Sequence, residues 1–108
     1  MRNLVYTLFA VALIFVFIAC AGSDSSESSA EGNVENGQKV YTTYCVLCHG
    51  DDGKKAVNGA KDITISPLTH AERVTLITDG KNLMTPFQGI LSEEEIKDVA
   101  AYSMTLGK

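Results

Sequence analysis

Tryptophan is absent from this 108-residue sequence, and aromatic residues make up only 7% of it. Histidine occurs twice, cysteine and methionine three times each. Nine basic side chains face 13 acidic ones, for a formal net charge of −4. That balance, with no basic patch, excludes a nucleic-acid binder. No stretch alternates apolar and polar residues with the period of a strand, and no segment repeats, so the fold class is all-α.

The apolar residues that are present are unevenly spread. Leu4 to Ala19 runs without a charge, preceded by Arg2 and followed by small residues at Ala21 and Gly22. This is the pattern of an export signal over residues 1–19. Phe17-Ile18-Ala19-Cys20 resembles the lipobox of bacterial lipoproteins, which implies cleavage before Cys20 and lipidation of that cysteine; Phe17 stands where Leu is commonest. The alternative is an uncleaved membrane anchor, although the run is somewhat shorter than the ~20 residues that span comfortably. Both readings place the following domain outside the cytoplasm of a bacterium, at the periplasmic side or the cell surface, and tied to a membrane. Several acyl chains anchor stably where one does not.

Residues 20–33 are rich in Ser, Gly and carboxylates and contain no aromatic or large aliphatic side chain. Such a segment cannot bury apolar surface and is expected to act as a flexible tether, with a reach of ~20 Å and a contour length of ~45 Å. Helical patterning begins at Val34, which leaves residues 34–108 as the folded domain. A domain this small is marginal unless something staples it, and with no Trp its core is undersized.

Cys45 and Cys48 frame Cys-Val-Leu-Cys, followed at once by His49. A Cys pair after an export signal is also compatible with a disulfide, a thioredoxin-like redox pair or half of a zinc site. A thioredoxin-like motif follows a strand, and no strand pattern precedes this one. Zinc needs two further ligands, and the remaining His, His70, has no Cys to join it. The His directly after the second Cys selects covalent haem. On a helical turn the two thiols share one face, from which each can add to a vinyl group on one porphyrin edge.

From Val34 to Lys108 the sequence resembles the class I monohaem cytochrome c family. Gly37 and Tyr41 stand eight and four residues before Cys45, and Asp98-Val99-Ala100-Ala101-Tyr102 matches that family's terminal helix. The resemblance implies about three main helices wrapped around one covalently bound haem c. It implies a close crossing of the first and last helices at Gly37, with Tyr41 and Tyr102 filling the gap. It also implies His49 and Met84 as the axial ligands of the iron. Met84 lies in Lys81-Asn82-Leu83-Met84-Thr85-Pro86-Phe87, similar to the family's distal loop. Met104 is expected at the edge of the last helix. His70 at a helix start is expected to be an exposed polar residue, with bis-His ligation or an open iron as the alternatives to Met84.

Local signals agree. Asn33 is a plausible N-cap for a helix from Val34 to Tyr44. Gly50 to Gly59 reads as an exposed loop. Thr69 with Glu72, and Ser92 with Glu95, form capping boxes, and Gly80 is a fitting stop. In the helix after Ser92, Ile96, Val99, Ala100 and Ser103 share one face. Val46, Leu47, Ile63, Leu68, Val74, Ile77, Leu83, Phe87, Ile90 and Leu91 are expected to form the apolar wall. A backbone carbonyl near Gly59-Ala60-Lys61 is expected to hold the His49 ring.

With both axial positions filled as the resemblance implies, the protein is expected to exchange single electrons and not to be an enzyme. Its expected partners are a donor and an acceptor redox protein, with no small-molecule substrate. The alternatives are a haem-bearing subunit fixed in a respiratory complex, or a ligand sensor or peroxidase in which Met84 dissociates.

Overall fold

The computed structural model describes residues 31–108. The expected signal, Cys20 and the expected tether as far as Ala30 lie outside the described residues. Four α-helices appear in chain order: α1 Val34–Tyr44, α2 Val46–His49, α3 His70–Asp79 and α4 Glu93–Ser103. Short 3-10 turns at Val57–Gly59 and Ile63–Ile65 interrupt the long connection between α2 and α3. Among the described residues extended pairing is limited to two isolated bridges, Lys81 with Met84 and Gln88 with Leu91. No helix there is long and apolar enough to cross a membrane. The all-α expectation holds, with α1, α3 and α4 as its three main helices.

Each main helix starts where a side chain satisfies its free amides. The Asn33 side chain accepts from the Asn36 N–H at 3.0 Å. Thr69 and Ser92 form complete capping boxes with Glu72 and Glu95. Such caps contribute about 1 kcal/mol each.

α1 and α4 cross closely because Gly37 lacks a side chain. A Cβ at that position would overlap the Asp98 backbone carbonyl. The Tyr41 and Tyr102 rings pack beside the crossing with centroids 5.2 Å apart. The Tyr41 hydroxyl donates to the Gly50 carbonyl at 2.7 Å, fastening the end of α2 to α1. Asp98, only 2% exposed, accepts from the Asn33 N–H and the Asn36 amide, both at 2.6 Å. A carboxylate here stabilises the positive end of the α1 dipole. Gly32 already packs on the Lys97 backbone, so the ordered body includes the last residues before α1.

The core is small: Val40, Tyr41, Ile77, Leu91, Ile96, Val99 and Ala100. All four residues expected on the inner face of α4 are buried. Gly53, in the loop expected to be exposed, is itself buried against Ile63 and Leu106.

Candidate functional site: an apolar cavity beside the Cys-Val-Leu-Cys-His turn

α2 is a single turn that carries Cys48 and His49, with Cys45 as its N-cap. Cys45, Cys48 and His49 stand at positions i, i+3 and i+4, which share a face. Leu47 points the other way and is 78% exposed, so it does not belong to the expected apolar wall. The helix stops at Gly50, whose φ of 76° is a conformation that favours glycine. Cys45 and Cys48 are not joined in a disulfide.

Two hollows of about 410 and 340 Å³ open beside this turn. Cys45, His49, Lys61, Leu68, Leu76 and Met84 line both. The inner hollow continues past Ile63, Ile77, Val99 and Arg73. The outer one continues past Cys48, Tyr44, Leu83 and Phe87. Each is the size of a small-molecule site, and the lining is mainly aliphatic and aromatic.

Met84 reaches this wall from the loop after α3. Gly80 ends the helix with φ 67°, and the chain folds back so tightly that its missing Cβ makes room for the Met84 backbone. Met104, by contrast, is the C-cap of α4 and 37% exposed, as expected of an edge residue. His70 lines neither hollow; its Nε2 lies 3.0 Å from the Lys97 carbonyl, linking α3 to α4 rather than standing free.

The His49 ring is oriented by the chain. Its Nδ1 lies 3.2 Å from the Lys61 carbonyl, the last of the three residues expected to supply that contact. With a proton on Nδ1 donated there, Nε2 keeps its lone pair for a metal. Burial pushes the Cys45 thiol up to about 11, with a lesser contribution from Cys48. A thiol so reluctant to ionise is a poor redox nucleophile, which argues against the thioredoxin-like reading. Among the described residues no group of three or more His, Cys, Asp or Glu side chains is gathered, so zinc has no ligand set.

Several expected wall residues are elsewhere. Ile90 is 54% exposed on the turn after Gly89, while Leu91 belongs to the core between helices and Val46 and Val74 pack against it. Residues the sequence did not single out take their place, namely Tyr44, Val57, Ile65, Leu76 and Arg73. Leu76 was within reach of sequence reasoning, because it neighbours Ile77 on α3. Arg73 was not, since nothing local distinguishes a buried arginine from a solvated one.

A large apolar cavity, walled by two thiols, an oriented imidazole and a thioether inside a small all-α body, places the chain among haem-carrying domains. The comparisons narrow the class. The family model described as cytochrome c oxidase, cbb3-type, subunit III matches residues 32–102. Cytochrome c6 of Nostoc sp. (strain PCC 7120) is 39% identical over 90 residues, which cover 78% of each chain. Cytochrome c6 of Rippkaea orientalis is 32% identical over 108 residues, covering 94% of this chain and 91% of that one. The solved structure of cytochrome c6 from the diatom Phaeodactylum tricornutum matches with a TM-score of 0.62 and 31% identity, over 70% of this chain and 95% of that one. The chain belongs to the class I monohaem cytochrome c family. It carries one covalently bound haem c and transfers electrons between redox-protein partners; it is not an enzyme.

Proposed function

We propose that this cytochrome is a membrane-tethered shuttle for single electrons. Cys45 and Cys48 hold the haem through thioethers, His49 and Met84 ligate its iron, and Cys20 carries the lipid anchor. What supports the reading most is the wall common to both hollows, where Cys45, His49 and Met84 meet although Met84 lies 35 residues beyond His49 in the chain.

Bound haem c supplies the one-electron ferric/ferrous couple. The chain's own residues set how that couple behaves. Cys45 and Cys48 would hold the haem through thioether bonds, each S–H having added across a vinyl group, so that attachment would consume no oxidant. His49, steadied by the Lys61 carbonyl, presents one nitrogen in a fixed direction. The soft sulfur of Met84 favours ferrous iron and raises the potential. The apolar wall excludes water and disfavours the additional charge of ferric haem, which acts in the same direction. With His49 and Met84 both ligating the iron, oxygen and peroxide would find no open position. The carboxylates Asp24, Glu27, Glu31 and Glu35 disfavour contact of this part of the chain with an anionic lipid surface.

A second reading, a haem subunit fixed in a respiratory complex, is favoured by the oxidase-subunit description of the matching family model. Mild solubilisation of the native membrane separates the two: the shuttle runs free, while a subunit co-purifies with its complex. For the site itself, a redox titration of the haem-loaded protein should follow a one-electron curve. The oxidised form should show a sulfur-to-iron charge-transfer band, and the ferrous form should resist carbon monoxide. A high-spin ferric spectrum with ready carbon monoxide binding would replace the shuttle by a sensor or peroxidase.

A further inference from the structure

Arg73 is the buried cation of this domain, 8% exposed on the inner side of α3. Its guanidinium has five N–H donors. Nε donates to the Leu68 carbonyl at 3.1 Å, and Nη2 donates to the Ser66 carbonyl at 3.2 Å. Nη1 donates to the Ser103 carbonyl at 3.1 Å and to the Ser103 hydroxyl at 3.0 Å. These four bonds span the segment before α3 and the end of α4, and every acceptor is neutral.

A buried charge is costly unless something of opposite sign compensates it. Among the described residues the ion pair is Lys39 with Glu35, both exposed on α1. Asp98, the buried carboxylate, is committed to Asn33 and Asn36. Arg73 therefore has no carboxylate of the described chain within ion-pair distance, and one of its Nη2 hydrogens has no acceptor there.

The position of Arg73 supplies the missing partner. It lines the inner hollow, whereas Cys48 lines only the outer one. Haem carries its vinyl groups and its two propionate carboxylates at opposite edges. Attachment of the vinyl edge at the α2 turn thus directs the carboxylate edge away from Cys48. Lys61 also lines the hollows but is exposed, so its ammonium stays in water.

We propose that Arg73 donates its remaining Nη2–H to a haem propionate and is the internal counter-ion that holds this carboxylate in the cavity. The inference rests on Cys45 and Cys48 carrying the haem. Arg73 is thereby a positioning residue that also tunes the couple, because a fixed positive charge beside the porphyrin disfavours ferric iron.

The haem-loaded full chain tests this in two ways. In the ferrous, diamagnetic protein, nuclear Overhauser effects should connect the Arg73 guanidinium protons with propionate methylene protons. Arg73→Met, similar in length but uncharged, should lower the midpoint potential while the spectrum remains low-spin. Arg73→Lys, which keeps the charge but loses the fork, should fall between Arg73→Met and the parent. The proposal is overturned if the Overhauser contacts are absent and Arg73→Met has the parent's potential with only a lower unfolding midpoint, the signature of a plain strut. If Arg73→Met does not fold, the Overhauser contacts in the parent decide by themselves. Failure of the underlying attachment shows separately, as covalent haem surviving the joint substitution of Cys45 and Cys48.

Discussion

A Cβ on Gly80 would lie 2.5 Å from the Met84 carbonyl oxygen and 2.7 Å from the Pro86 nitrogen. The end of α3 and the loop that carries the proposed distal ligand are thus in backbone contact, and Gly80 also has a φ of 67° that L side chains rarely adopt. Gly80→Ala is expected to cost more than ~1 kcal/mol, from strain and crowding together. It should also weaken the sulfur-to-iron band, because the displaced segment contains Met84. Chemical denaturation and the ferric spectrum read the two effects separately. An alanine variant with the parent's stability and spectrum would show that the loop is not held this way.

Met84→Ala removes the proposed sulfur and leaves Cys45, Cys48 and His49 in place. Haem should stay attached, the iron should become high-spin or take water, and carbon monoxide should bind the ferrous form. The potential should fall as a ligand that favours ferrous iron is lost. Met104→Ala and His70→Ala are the controls and should leave the spectrum unchanged, since neither side chain lines the cavity. Loss of the band in Met104→Ala instead would transfer the ligand role to that residue.

Replacing Cys45 and Cys48 together with Ala should yield little folded protein. Seven residues make up the core, and the space beside α2 is hollow. Without a group to fill it, burial does not offset chain entropy in a domain of this size. Native helix content by circular dichroism in the haem-free variant would contradict this.

Acid should loosen the start of α3. The Glu72 carboxylate accepts from the Thr69 N–H at 2.8 Å and from its hydroxyl at 2.9 Å, which holds it below the usual carboxylate range. A folded-state value below the unfolded one adds stability above the ordinary Glu range, and this is lost as pH falls through the lowered value. Urea midpoints measured across the acid range should show that decline. Glu72→Gln keeps a hydrogen-bonding group but cannot titrate, so it should flatten this part of the curve. Thr69→Ala should cost about 1 kcal/mol at neutral pH through loss of the cap.

Cys20→Ser should block processing and change where the domain resides, because the thiol is the proposed site of lipid attachment. Mass spectrometry of the mature protein is the measurement. An intact Met1 without acyl chains would dismiss the lipoprotein reading and leave the uncleaved anchor.

The parts of this protein that were legible in the sequence depend on neighbours a few residues apart. The Cys45, Cys48 and His49 spacing places three groups on one helical face wherever that helix sits. The Thr69–Glu72 and Ser92–Glu95 boxes close within a single turn, so composition alone announces them. The close crossing at Gly37 was implied by the family resemblance, and it brings that residue against Asp98.

Other features depended on what the chain meets after folding. Leu47 and Ile90 are as apolar as Ile63, yet a one-turn helix and the Gly89 turn leave the first two exposed. Which carbonyl would hold His49 depended on the path of the long α2–α3 connection, which ends the search at Lys61. Arg73 and Asp98 look like ordinary surface charges in sequence. The crossing of α4 over α1 and α3 covers them, and covering a charge matters only when its partners arrive from distant segments. The starts of the main helices and the helical class were therefore readable from short stretches of chain, because these are short-range properties. The tertiary structure alone decided which charges are buried and what lines the cavity, because burial is a property of several segments together.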